Sequence, residues 1–125
     1  MRGKELLQER NVSLYRWSMS SKTIEEKITS TIAQIVAKIR PQRIILFGSA
    51  ARGDFNAESD LDILIIKSDV AERGIDRQLE VDRLIERNGI ALDMLVYKPE
   101  EIELALKLGD PFIKEVFAKG RVLYG

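Results

Sequence analysis

The chain contains no cysteine and no histidine. The first absence removes disulfides, thiolate zinc sites and cysteine nucleophiles. The second removes imidazole as a general base and as a metal ligand. Any metal here is therefore held by oxygen, which favours Mg²⁺ or Mn²⁺ over Zn²⁺. Net charge is missing too: 20 basic residues cancel 20 acidic ones. Such a balance gives no broad attraction to nucleic acid or to an anionic membrane surface, and no direct nucleic-acid binding is expected. No apolar run is long enough to span a bilayer, and the N-terminus has no long apolar segment, so the expected location is the cytoplasm. What remains is 125 residues, 45% hydrophobic and 32% charged, the composition of one globular domain with a moderate core.

The informative stretch runs from Leu46 to Asp62. It joins two apolar, strand-like runs, Arg43–Phe47 and Leu61–Ile66, through a small polar loop bearing Gly48 and Gly53. Asp60 and Asp62 open the second run one residue apart. Side chains alternate along a strand, so the two carboxylates share a face and repel each other. A divalent cation with oxygen ligands, most often Mg²⁺, compensates such a pair. Asp93 lies inside a third apolar run, Ile90–Tyr97, where an unpaired charge is costly to bury. If that run lies beside Leu61–Ile66, Asp93 joins the same metal. Gly48 then lets the backbone approach a phosphate, and Ser49 offers it a hydroxyl and an N–H.

The rest of the chain reads as scaffold. Residues 1–22 form a mildly basic arm of mixed apolar content. It is expected to be a frayed surface helix, or a docking arm anchored by Tyr15 and Trp17. Ile24, Ile28, Ile32, Ile35, Val36 and Ile39 give a helix over Thr23–Arg40, with Thr23 and Glu26 spaced as a capping box and Pro41 as its stop. The run after Asp62 is unbroken and predicts a strand buried on both faces. A helix is predicted over Val70–Asn88 with Ile75, Leu79, Leu84 and Ile85 inward, stopped by Asn88-Gly89. Pro99 starts a helix to about Leu108, and Asp110-Pro111 starts another through Lys119, with Phe112, Ile113, Val116 and Phe117 inward. Glu100 and Glu101 are read as solvated, and Arg121–Tyr124 as a short edge strand. Ala50–Ser59 is a loop with one helical turn after Ser49.

Gly48-Ser49, ten intervening residues, then Asp60-Leu61-Asp62 resembles the signature of the DNA polymerase beta-like nucleotidyltransferase superfamily. The fuller string Gly-Ser-Ala-Ala-Arg-Gly-Asp…Ser-Asp-Leu-Asp-Ile is similar to its small stand-alone members, the minimal nucleotidyltransferases. The resemblance implies an α+β fold, packed as an α/β two-layer: a small mixed sheet flanked by helices, filling residues 23–125 behind the 1–22 arm. It implies transfer of a nucleoside monophosphate, commonly AMP from ATP, to a hydroxyl with two Mg²⁺ ions, for which Mn²⁺ substitutes. Asp60, Asp62 and Asp93 are then the catalytic and metal-binding residues. Gly48 and Ser49 hold the β- and γ-phosphates, Arg52 neutralises triphosphate charge, and Ser59 orients Asp60. Stand-alone relatives resemble the antitoxin half of two-gene toxin–antitoxin pairs. Their partner is a helical HEPN-type RNase, and some of them modify a tyrosine on it. A non-catalytic nucleotide-binding subunit and an antibiotic adenylyltransferase are the alternatives, and a homo-oligomer is compatible with all three.

Overall fold

The structure, a computed structural model, describes residues 22–53, 60–87 and 89–125, with side chains from Glu26 onward in the first helix. The 1–21 portion of the arm, the side chain of Thr23 in the expected capping box, Asn88, Asp54 and Ser59 lie outside what is described. The order is α1 (Lys22–Ile39), β1 (Arg43–Phe47), β2 (Leu61–Ile66), α2 (Gly74–Leu84), β3 (Leu92–Tyr97), α3 (Pro99–Leu108), α4 (Pro111–Lys119) and β4 (Arg121–Tyr124).

The strands form one sheet in the order β3-β2-β1-β4. β1 pairs antiparallel with β2 and with β4, while β2 and β3 run parallel. The sheet is therefore mixed, as the resemblance implied. One consequence organises everything else. The C-terminal end of β1 and the N-terminal ends of β2, β3 and β4 all meet at one end of the sheet.

Alternation along the strands divides the core. One face carries Ile44, Leu46, Leu61, Ile63, Ile65, Leu92, Met94 and Val96, packed with Ile28, Ile32 and Ile35 of α1 and Val81 of α2. The other carries Ile45, Leu64 and Ile66, packed with Ile102 of α3 and Ile113 and Val116 of α4. The expected two-layer packing thus gains a second helical layer. Strand β2, buried at every position but Asp62, is apolar because both its faces are covered. From Ile28 to Ile39 the α1 stripe is buried as its spacing requires, each isoleucine contributing about 1.5–3 kcal/mol; the Ile24 side chain lies outside what is described.

Helix ends follow their sequence signals closely in the C-terminal half. Asp110 Oδ1 accepts from the N–H groups of Phe112 (2.9 Å) and Ile113 (3.2 Å), capping α4. Gly109 takes the left-handed conformation (φ 78°) that ends α3. The expected inner face of α4 is half realised: Ile113 and Val116 are buried, Phe117 is half-buried and Phe112 is exposed.

Helix α2 is where the expectation fails. It covers Gly74–Leu84 and stops before Asn88. Ile75 (59% exposed), Leu79 and Leu84 face outward, and of the four residues expected inside only Ile85, just past the helix, is buried. The face turned inward carries Arg77 and Val81. Arg77 is 4% exposed, and all five of its N–H groups are used. Its Nε donates to the Ala71 carbonyl (2.5 Å), Nη1 to Val96 O (3.1 Å) and Glu101 Oε1 (2.7 Å), and Nη2 to Glu72 O (2.9 Å) and Glu101 Oε2 (2.8 Å). Hydropathy cannot place an arginine inside; a saturated hydrogen-bond shell can. Two neighbours join it along the outer edge of β3. Gln78 donates to Met94 O, and Arg87 to Leu92 O (3.1 Å). With Arg77 on Val96 O, three alternate carbonyls of an edge strand are taken, which blocks pairing with another strand.

Glu101 is therefore not the solvated residue expected from sequence. It grips Arg77 with both oxygens and also accepts from the Lys98 N–H at the start of α3 (2.8 Å). The Arg77 guanidinium, with help from Lys98, lowers its pKa from 4.5 to about 2. A depressed carboxyl stabilises the fold above its unfolded pKa and loses that contribution as pH falls through the folded value. Urea unfolding between pH 5 and about pH 2 should show stability falling over this window, and Glu101→Gln should flatten that part of the curve. The Glu101 side chain is 38% exposed, so solvent screening keeps the effect well below a fully buried pair's.

Candidate active site

At the shared end of the sheet, the sequence-predicted residues come from three adjacent strands. Phe47 at the end of β1 is paired with Asp62 of β2, and Asp62 is in register with Asp93 of β3. In-register residues of parallel strands point to the same face, so Asp62 and Asp93 stand side by side. Asp60, one residue before β2, has the same parity as Asp62.

The electrostatics agree with that placement. The Asp62 carboxyl has its pKa raised above 3.8, first by burial and then by the charges of Asp93 and Asp60. Asp62 is half-buried, while Asp60 and Asp93 are exposed. The expectation that Asp93 is an expensive buried charge is thus corrected: β3 is an edge strand and Asp93 occupies an open position on it. Among the described residues, no group of three or more carboxylates is drawn together tightly enough to close on a metal ion. The three are neighbours by register and by mutual charge.

The donor set nevertheless suits a hard cation, since only oxygen ligands are present and Asp62 is held against like charges. The backbone of Gly48 leaves room for that carboxylate. Gly48 sits at φ +77°, and a Cβ built on it would overlap Asp62 Oδ2 and lie 3.2 Å from Asp62 Cγ. Gly48→Ala should therefore cost about 1–2 kcal/mol in a thermal melt from backbone strain. On the role the resemblance implies for Asp62, it should also lower nucleotidyl transfer by about 10²-fold by displacing that carboxylate, a loss larger than the change in folded fraction explains.

After Gly48 the chain turns. Ala51 N–H donates to Gly48 O (3.1 Å), Arg52 N–H to Ser49 O (3.1 Å) and Gly53 N–H to Ala50 O (3.2 Å). This is the helical turn expected after Ser49, and it sets Ser49 at its start. Ala50 and Ala51 anchor the turn in the core, whereas Arg52 is exposed. Ser59 is the one sequence-predicted site residue whose placement is not described.

Two contributors had no clear sequence signal. Arg121, the first residue of β4, donates from Nε to the Ala51 carbonyl (2.9 Å) and ties the turn to the sheet. Gly120 lets α4 run directly against β1. A Cβ there would lie 2.8 Å from Ile45 Cγ2 and 2.9 Å from Leu46 O. A glycine just before a strand is the only hint of the second, and an arginine in a short edge strand gives none of the first.

Comparison with known proteins places the chain in a family. Residues 29–124 match the family model described as nucleotidyltransferase domain. The chain is 33% identical over 106 residues to "Putative protein adenylyltransferase MJ0604" of Methanocaldococcus jannaschii, covering 82% of this chain and 96% of that one. It is 35% identical over 85 residues to a second protein of the same organism, "Putative protein adenylyltransferase MJ1305", covering 65% of this chain and 56% of that one. A crystal structure described as a "putative nucleotidyltransferase" from Sulfolobus solfataricus superposes with a TM-score of 0.52 at 28% identity, over 70% of this chain and 83% of that one.

Proposed function

Since this chain belongs to the nucleotidyltransferase domain family, we propose that it transfers AMP from ATP to a hydroxyl group on a protein, with Asp60, Asp62 and Asp93 at the reacting phosphate. The observation that carries the reading is the in-register pair Asp62 and Asp93, with the side-chain-free backbone of Gly48 against Asp62.

In the proposed reaction an acceptor hydroxyl oxygen forms a bond to the α-phosphorus. The bond from that phosphorus to the oxygen bridging to the β-phosphate breaks, and pyrophosphate leaves with the electron pair. The hydroxyl proton passes to the Asp93 carboxylate or to solvent. Asp60, Asp62 and Asp93 would hold two Mg²⁺ ions, which supply Lewis-acid stabilisation of charge on the phosphoryl oxygens and acidify the acceptor hydroxyl. The chain itself supplies position. Gly48 gives the β- and γ-phosphates close backbone approach, Ser49 offers a hydroxyl and N–H, and Arg52 adds positive charge. Ser59 completes the set as the residue orienting Asp60. In the domain division we propose, residues 23–125 are the catalytic unit and residues 1–22 a separate arm.

The acceptor class rests on the family resemblance and on relatives named as protein adenylyltransferases. The resemblance points further, to a tyrosine of a HEPN-type partner and an antitoxin role in the cytoplasm. The test is incubation with ATP labelled on its α-phosphate, Mg²⁺ and the product of the neighbouring gene. Label on that protein, lost with an Asp60→Ala, Asp62→Ala double variant, supports the transferase. A tight complex without label overturns it in favour of a binding subunit.

A further inference from the structure

A cavity of about 160 Å³ opens beside the Gly48 turn, lined by Phe47, Gly48, Arg52, Phe112, Glu115 and Lys119 among others. It is smaller than the roughly 300–1,000 Å³ of pockets that enclose a whole small molecule. It suits one fragment of a ligand whose remainder lies outside. We propose that this fragment is the terminal phosphate of the nucleoside triphosphate, and that Lys119 is the side chain that recognises it. The inference rests on the transferase reading above and extends the donor site to a residue of α4.

The sheet order gives the direction. Across the shared end, the sequence of groups is Asp93 on β3, Asp62 on β2, Gly48 after β1, then Lys119 and Gly120 leading into β4. Neighbouring strands are about 4.8 Å apart. With the α-phosphate at Asp62 and the acceptor at Asp93, the leaving phosphates run the opposite way, over Gly48 and toward α4. One to two strand spacings carry the chain of phosphates from Asp62 to the cavity mouth.

The fold brings Lys119 there by a contact only glycine permits. The Gly120 N–H donates to Val116 O (2.8 Å), closing α4, while the absent Cβ lets the helix end press on Leu46 O and Ile45. The ammonium of Lys119 has no ion-pair partner among the described residues. Lys119 lines the cavity, as does Arg52. Glu115 is the opposing charge among the lining residues. The two aromatic walls are already in contact with each other. Phe47 and Phe112 meet edge to face, centroids 5.5 Å apart and planes at 83°. Phe112 is 41% exposed, so the cavity is open to solvent and a phosphate held there is met by partly hydrated charges.

Such a contact distinguishes a triphosphate from a diphosphate and holds pyrophosphate on the side away from the acceptor. Titration calorimetry with ATP and with ADP, each with Mg²⁺, reads it directly. Lys119→Met should weaken ATP about five- to tenfold and leave ADP within twofold, while Lys119→Arg retains ATP binding. Glu115→Gln should tighten ATP slightly. Thermal melts confirm that each variant is folded. Wild-type affinity for ATP in Lys119→Met overturns the inference and leaves the transferase reading standing. An equal loss for ATP and ADP also overturns it. No nucleotide binding by the wild type overturns both.

Discussion

Replacing Asp62 by asparagine should lower nucleotidyl transfer by about 10³-fold or more, roughly 4 kcal/mol of transition-state stabilisation, and should also raise the melting temperature of the metal-free protein. The two effects have one cause. Asp62 stands beside Asp93 and near Asp60, and its carboxyl is pushed up by burial and by both charges. In the proposed reaction that concentration of negative charge would hold cations at the phosphate. Without cations it is self-repulsion that the fold must tolerate. The sign follows from linkage. With its pKa raised above 3.8, the native carboxyl binds protons that the unfolded chain has released, so stability falls as pH rises through the native value. The stabilising effect of Asp62→Asn should thus appear above the native pKa and fade below 3.8. Melts at several pH values in a chelator, beside a single-turnover transfer assay, check both parts. A variant with full activity, or one destabilised at neutral pH, would contradict them.

The second large effect lies at the other end of β3. Arg77→Met should destabilise the fold by about 3–5 kcal/mol, because it leaves Glu101 and three backbone carbonyls without their buried donor. In thermal melting that amounts to a drop on the order of 10 °C or more. Arg77→Lys should recover little, since an ammonium cannot make the two-pronged contact to Glu101 together with the carbonyl bonds. Pairing Arg77→Met with Glu101→Leu should restore part of the loss by removing the stranded carboxylate. A single-variant loss below about 1 kcal/mol would show that the buried guanidinium is replaceable by simple packing.

The contrast between these two sites shows what the sequence made legible. The acidic site is local: Gly48, Ser49, Asp60 and Asp62 fall within fifteen positions, and alternation alone puts the two aspartates on one face. Asp93 needed one further step, the pairing of Ile90–Tyr97 with Leu61–Ile66, and the structure supplies that neighbour in register. Helix ends marked by proline, aspartate and glycine from Pro99 to Gly120 were readable for the same reason, because caps act through neighbouring residues. Helix α2 was not. Ile75 and Leu79 look like an inner face by spacing, and both are exposed. The true inner face contains Arg77, whose partners Val96 and Glu101 are 19 and 24 residues away. No periodicity encodes a pairing at that range. Lys119 and Arg121 escaped notice for a related reason: they reach the Gly48 turn only because β4 returns to pair with β1.

Whether the three carboxylates act together as a cation site is most directly tested by Mn²⁺ titration with a non-hydrolysable ATP analogue, read as a thermal shift. At a hundredfold excess over Kd a ligand of the native state adds about 2.7 kcal/mol. The wild type should show a clear rise, Asp93→Asn a smaller one and Asp62→Asn almost none. No rise in the wild type, or the same rise in all three proteins, would contradict a shared metal site.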